Sequence, residues 1–128
     1  MTEPPTTSRE KESVLRQHLP LKANWFHILL SLAECRRHGY AVMQEVLERT
    51  DGEVRLWPAT LYGSMRQLQE AGLIEECEDA AAQENDDPRR RYFRISALGR
   101  DLLEAEAERL RSLAEMVRSR NLGSQARS

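Results

Sequence analysis

The sequence predicts a mainly α-helical fold carrying one small β-hairpin, and three stretches predict it. Residues 58–72 place Leu61, Met65, Leu68 and Ala71 at three- and four-residue spacing, the apolar stripe of an amphipathic helix. Pro58 suits the first turn of that helix, where a missing N–H costs nothing, and Gly72 suits its stop. Residues 73–78 and 89–95 then read as two strands joined by a loop too polar for a core, which makes a hairpin. Residues 97–120 read as a helix longer than a small domain needs, with Leu103, Leu110 and Val117 seven residues apart.

A chain of 128 residues has room for one domain and a modest core, with extensions at either end. Its content, 40% hydrophobic and 31% charged, is that of a soluble helix-rich protein. The formal net charge is −2, so any nucleic-acid surface has to be a local patch. Cys35 and Cys77 lack metal-ligand spacing, and two unclustered thiols predict a reducing, cytoplasmic setting. No apolar run is long enough to span a bilayer and the Pro- and Thr-rich start does not read as a signal peptide, so no membrane partner is expected.

In chain order, residues 1–20 read as an N-terminal extension, disordered at first. A short helix over 9–19 follows, with Val14, Leu15 and Leu19 inward and Pro20 as its stop. Residues 22–38 predict a helix with Trp25, Ile28, Leu29, Leu32 and Cys35 on its apolar face, ended by Gly39. Residues 40–50 predict the next, with Tyr40, Val42, Met43, Val46 and Leu47 as its apolar residues and Asp51-Gly52 as the turn after it. Val54, Arg55, Leu56 and Trp57 read as a short strand at the edge of the hairpin; Trp57, like Trp25, is expected in the core. Ser96 has the chemistry of an N-cap for the last helix. The domain therefore spans 21–96 and the long helix 97–122, with a flexible polar tail over 123–128. On the long helix Leu102, Leu103, Ala107, Leu110, Leu113, Ala114 and Val117 form a seam for a second helix, which predicts a homodimer.

A helix-turn-helix followed by a hairpin is a winged helix-turn-helix, and the usual partner of that arrangement is double-stranded DNA. With its stripe turned inward, the helix over 58–72 is expected to present Ala59, Thr60, Tyr62, Gly63, Ser64, Arg66 and Gln67 outward. Ala59, Thr60 and Gly63 are small enough for close approach to base edges. Tyr62 and Ser64 offer hydroxyls to phosphate, and Arg66 and Gln67 reach phosphate or base. Arg89, Arg90, Arg91 and Arg94 concentrate positive charge beside this helix in a chain that is net acidic. Taken singly, these features also describe a solvated helix and a strand edge charged against aggregation. Their clustering favours DNA. The stretch over 78–87 holds Glu78, Asp79, Glu84, Asp86 and Asp87, which phosphates would repel. The hairpin tip is therefore expected to stay out of the groove while its arginine-bearing base makes the contacts.

His27 and His38 sit apart from any nucleophile or usable carboxylate, and no glycine-rich phosphate loop occurs, so neither enzyme activity, metal nor cofactor is expected. Three rival readings stay open, one of them an enzyme for which no residue cluster speaks. Another is a winged-helix protein-interaction module without DNA binding, to which the net charge and the acidic loop point. The third is a regulator responding through Cys35 or Cys77, for which Arg36 and Arg37 supply the only activating charge near Cys35.

Four segments occur in the order and spacing of the PadR family of bacterial transcriptional regulators, which the chain resembles over roughly residues 21–120. They are His38-Gly39-Tyr40, then Pro58-Ala59-Thr60-Leu61-Tyr62-Gly63, then the run from Leu68 through Gly72 to Glu75, then the run from Arg91 to Gly99. The resemblance implies a winged helix-turn-helix whose long C-terminal helix makes a two-fold dimer. It implies repression by binding a pseudo-palindromic operator, released when an effector changes the separation of the two reading heads. Thr60 and Tyr62 would then lie on the recognition helix, and Arg89, Arg90, Arg91 and Arg94 on the wing. It also implies an effector pocket, for aromatic compounds in some members, near the dimer interface and between the first and last helices; Trp25, Leu29 and Leu110 match that region.

Overall fold

The computed structural model describes residues 8–78 and 91–122. The elements run α1 (Ser8–Gln17), α2 (Ala23–Glu34), β1 (Arg37–His38), α3 (Gly39–Arg49), α4 (Pro58–Glu70), β2 (Ile74–Cys77), β3 (Tyr92–Ile95) and α5 (Ala97–Ser119). Helices α2, α3 and α4 pack around Trp25, Ile28, Leu29, Leu32, Val42, Val46, Leu61, Met65 and Leu68. The sheet closes one side of that core with Ile74, Phe93 and Ile95. The fold is the mainly helical, winged arrangement expected, with the long last helix in place.

The helix expected over 22–38 stops at Glu34, and Gly39 opens the following helix instead of closing this one. The Arg37 side chain turns back to donate to the Ser31 carbonyl at 3.1 Å and pairs with Glu34 at 3.2 Å. Arg37 and His38 are thereby left extended, and they pair antiparallel with Phe93 and Tyr92. His38 then serves as the N-cap of α3, its Nδ1 accepting the Ala41 N–H at 3.1 Å. This pair supplies the third strand of a sheet ordered β1-β3-β2. The strand expected over 54–57 is not one; that segment is an irregular lead into α4, with Leu56 buried and Trp57 exposed.

Gly72 ends α4 in the left-handed conformation, φ +75°, and lets Leu73 N–H return to the Leu68 carbonyl at 2.9 Å. From there β2 pairs with β3 in register, Ile74 opposite Ile95 and Cys77 opposite Tyr92. Ser96 caps α5 as its chemistry foretold: its Oγ accepts the Gly99 N–H at 3.0 Å and donates to the Gly72 carbonyl at 2.7 Å. Its own N–H bonds the Leu73 carbonyl at 3.0 Å. The first half of α5 belongs to the protomer's own core. Leu102 is fully buried there, which corrects its expected place on the seam for a second helix, and Leu103 is half-buried against the same core. Glu106 is buried too, held by Arg109 through bonds of 2.6 and 2.8 Å. Ala107, Leu110, Leu113, Ala114 and Val117 remain exposed, and Met116 joins them.

Between α2 and α3, Arg49 bridges Glu45 at 2.8 Å and donates to His27 Nδ1 at 3.1 Å and to the His27 carbonyl at 3.1 Å. Burial and then the Arg49 charge push the His27 pKa down. The bond to Arg49 holds the Glu45 carboxyl below the usual carboxylate range against an opposing desolvation. Both shifts favour the folded state at neutral pH. The unfolded chain takes up a proton on His27 that the fold resists, so stability falls as pH drops below the ordinary value of 6.5. A second fall follows as Glu45 is protonated, below its ordinary value of 4.5. Melting temperature measured from pH 7.5 to 5.5 should therefore decline, and His27→Asn should flatten that decline; an unaltered slope in the variant would refute the assignment.

Candidate nucleic-acid interface

The helix α4 is built to show one face. Pro58 starts it, and the helix has no side-chain cap at Trp57. Leu61, Met65 and Leu68 lock the inner face into the core. Ala59, Thr60, Tyr62, Gly63, Arg66 and Gln67 are exposed. Ser64 is not: it is buried, which corrects its expected outward position. At 100° per residue it falls between Leu61 and Leu68, three residues from the first and four from the second, so its hydroxyl goes inward with them. Gln67 is exposed but engaged, its Oε1 accepting the Trp25 Nε1–H at 3.3 Å across the helix pair. That bond ties its carboxamide to α2.

Tyr62 is 53% exposed, with its ring laid against Gly39. On the wing, Arg91 and Arg94 are exposed, but each faces a glutamate of β2: Arg94 to Glu75 at 3.0 Å and Arg91 to Glu76 at 3.7 Å. Exposed pairs of this kind contribute only about 0–1 kcal/mol, so an arriving phosphate can exchange for the carboxylate at little cost. Arg89, Arg90 and the acidic residues over 79–87 lie outside the described residues. Arg36 donates to the Glu78 carbonyl at 2.9 Å.

Two aromatics expected inside are exposed on the surface. Trp57, expected inside, is 62% exposed, with the Arg55 guanidinium 5.2 Å from its ring centroid. It sits one residue before the proline, in the segment expected as a short strand that is irregular here. Tyr40, also expected as an apolar helix residue, is exposed, and its hydroxyl accepts from Gln44 Nε2 at 3.0 Å.

Of the residues matched to an effector pocket, Trp25 and Leu29 are buried in the core and Leu110 is exposed further along α5. Cys35 and Cys77 are free thiols, exposed and half-buried respectively. Among the described residues no trio of His, Cys, Asp or Glu is placed to hold a metal ion, and no helix is long and apolar enough to cross a membrane.

This geometry has counterparts among known proteins. The model of the Transcriptional regulator PadR-like family matches residues 28–105. An uncharacterized 37.1 kDa protein of transposon TN4556 from Streptomyces fradiae is 33% identical over 90 residues, 70% of this chain; the chain spans about a quarter of that protein, 24% of its length. A PadR family transcription regulator from Clostridium difficile superposes with a TM-score of 0.63 at 20% identity, over 77% of this chain and 97% of that one. A padr family transcriptional regulator from Eggerthella lenta gives 0.61 at 23% identity, covering 88% of each chain.

Proposed function

The chain belongs to the PadR-like family of transcriptional regulators, and from that membership we propose that it acts as a homodimeric repressor gripping a pseudo-palindromic DNA operator in the cytoplasm. The observation that carries the reading is the outward face of α4, where Ala59, Thr60 and Gly63 leave room for base edges and Tyr62 and Arg66 stand beside them. Arg91 and Arg94 supply phosphate contacts from beside the sheet, and Arg89 and Arg90 are assigned to the same role from their sequence.

The dimer is supported by Leu110, Leu113, Met116 and Val117, four large apolar side chains on the last turns of α5, all at least 42% exposed in the single protomer. Two copies joined there set their recognition helices about 34 Å apart, or a near multiple, to meet successive turns of one DNA face. Repression follows from occupying a promoter. A small effector, aromatic or otherwise, that shifts this spacing would release it.

Electrophoretic mobility shift with DNA from upstream of its own gene tests the reading. If two protomers neutralise about four to eight phosphates, log affinity falls against log salt with a slope of roughly −4 to −7. Binding indifferent to salt would end the electrostatic account. The pairing of both described wing arginines with glutamates favours one rival, a protein-interaction module; that rival predicts no shifted band at any salt concentration.

A further inference from the structure

A cleft of about 230 Å³ lies where α3, α4 and β3 meet, and its lining includes Gly39, Tyr40, Tyr62, Arg66 and Arg91. Building on the DNA reading above, we propose that this cleft is a phosphodiester subsite, seating one backbone phosphate of the duplex and fixing how α4 sits in the groove. Its volume is several times a water's share of the liquid, about 30 Å³.

The lining carries two guanidinium groups and no carboxylate. Among the described residues Arg66 has no ion-pair partner, and the partner of Arg91 stands off at 3.7 Å. Guanidinium forks match phosphate oxygens better than any other side chain. Tyr40 adds a directed donor. Because its oxygen already accepts from Gln44 Nε2, its phenolic hydrogen is the part left to give. Arg66 belongs both to the cleft and to the outward strip of α4 that Ala59 and Gly63 share, so an anion held here is continuous with a duplex lying on that strip.

Gly39 shapes the cleft without touching its occupant. A Cβ at that position would lie 2.8 Å from Tyr62 Cε1 and 3.0 Å from its Oη. Only glycine lets the ring lie down and form a wall. The obstructed atoms are the far end of a flexible side chain, so an alanine moves Tyr62 and leaves the helices in place. Gly39 is not among the glycines with positive φ, and alanine suits a helix better than glycine, so the fold itself does not suffer. Gly39 is therefore a positioning residue for Tyr62.

The test uses the upstream duplex with single methylphosphonate linkages, which remove one backbone charge each. The parent should lose about tenfold in affinity at one linkage per half-site, the loss of a charge-assisted hydrogen bond. Arg66→Ala and Tyr40→Phe should start weaker and lose nothing further at that same linkage. Gly39→Ala should weaken binding to every duplex while its melting temperature holds or rises, and Gly39→Ala/Tyr62→Ala should bind like Tyr62→Ala alone. If the parent binds duplex but no linkage becomes silent in the variants, or if the Gly39 and Tyr62 effects simply add, the subsite is wrong and DNA binding stands. Displacement of the duplex by inorganic phosphate at fixed ionic strength would reassign the cleft to a free oxyanion. A parent that binds no duplex overturns both readings together.

Discussion

Gly99→Ala is expected to lower the melting temperature by roughly 10–15 °C, the size of effect that about 3 kcal/mol of overpacking has in a domain of this length. An alanine Cβ would stand 2.2 Å from the Leu73 carbonyl oxygen and 2.8 Å from Ile95 Cγ1. The Leu73 carbonyl cannot back away freely, because it accepts the Ser96 N–H at 3.0 Å. Nor can the start of α5 retreat, since Ser96 Oγ is bonded on one side to Gly99 N–H and on the other to the Gly72 carbonyl. One methyl group must therefore break a capping bond or part the helix from the sheet. Thermal unfolding followed by circular dichroism measures this directly; a variant melting within two or three degrees of the parent, on the scale of about 1 kcal/mol, would mean the junction yields. Gly63→Ala is the internal control, for nothing lies within 4 Å of the Cβ it adds.

Leu110→Glu is expected to leave the protomer folded and to cost operator affinity at least about 100-fold, the lower end of what joining two binding modules contributes. The separation of effects follows from burial. Leu102 holds α5 to its own domain, while Leu110 is 42% exposed and outside that core, so a charge there meets solvent in the protomer but a facing apolar surface in the proposed dimer. Sedimentation should show a monomer with parental helix content, and the mobility shift should weaken accordingly. An intact dimer in sedimentation would rule out this stretch of α5 as the seam.

Much of the fold was legible because its signals are local. The stripe Leu61, Met65 and Leu68, the Pro58 start, the Gly72 stop and the Ser96 cap each concern residues within a turn or two of one another, and all are where the sequence places them. What could not be read depends on distant partners. Gly39 follows an apolar helical run and so reads as a terminator; that it begins a helix depends on Arg37 and His38 finding Phe93 and Tyr92, more than fifty residues away. Gln67 looks free on a helical wheel, and only the folded chain brings Trp25 Nε1 to it. The arginine run reads as plain positive charge because the glutamates that answer it lie on the other strand of the hairpin. Ser64 is decided by angle: its hydroxyl suits phosphate, but its place between Leu61 and Leu68 turns it inward.

The long last helix is two things in succession. Up to Glu106 it is masonry, built into the domain; from Ala107 to Ser119 it stands out as a cantilever about 20 Å long at 1.5 Å per residue. A beam fixed at one end magnifies motion at its root, so a tilt of only 10° at Ala107 carries the tip at Ser119 through about 3.5 Å by that same length. The bedding around Leu102 and Glu106 is thus the fulcrum, and a small change in its packing is enlarged along the arm.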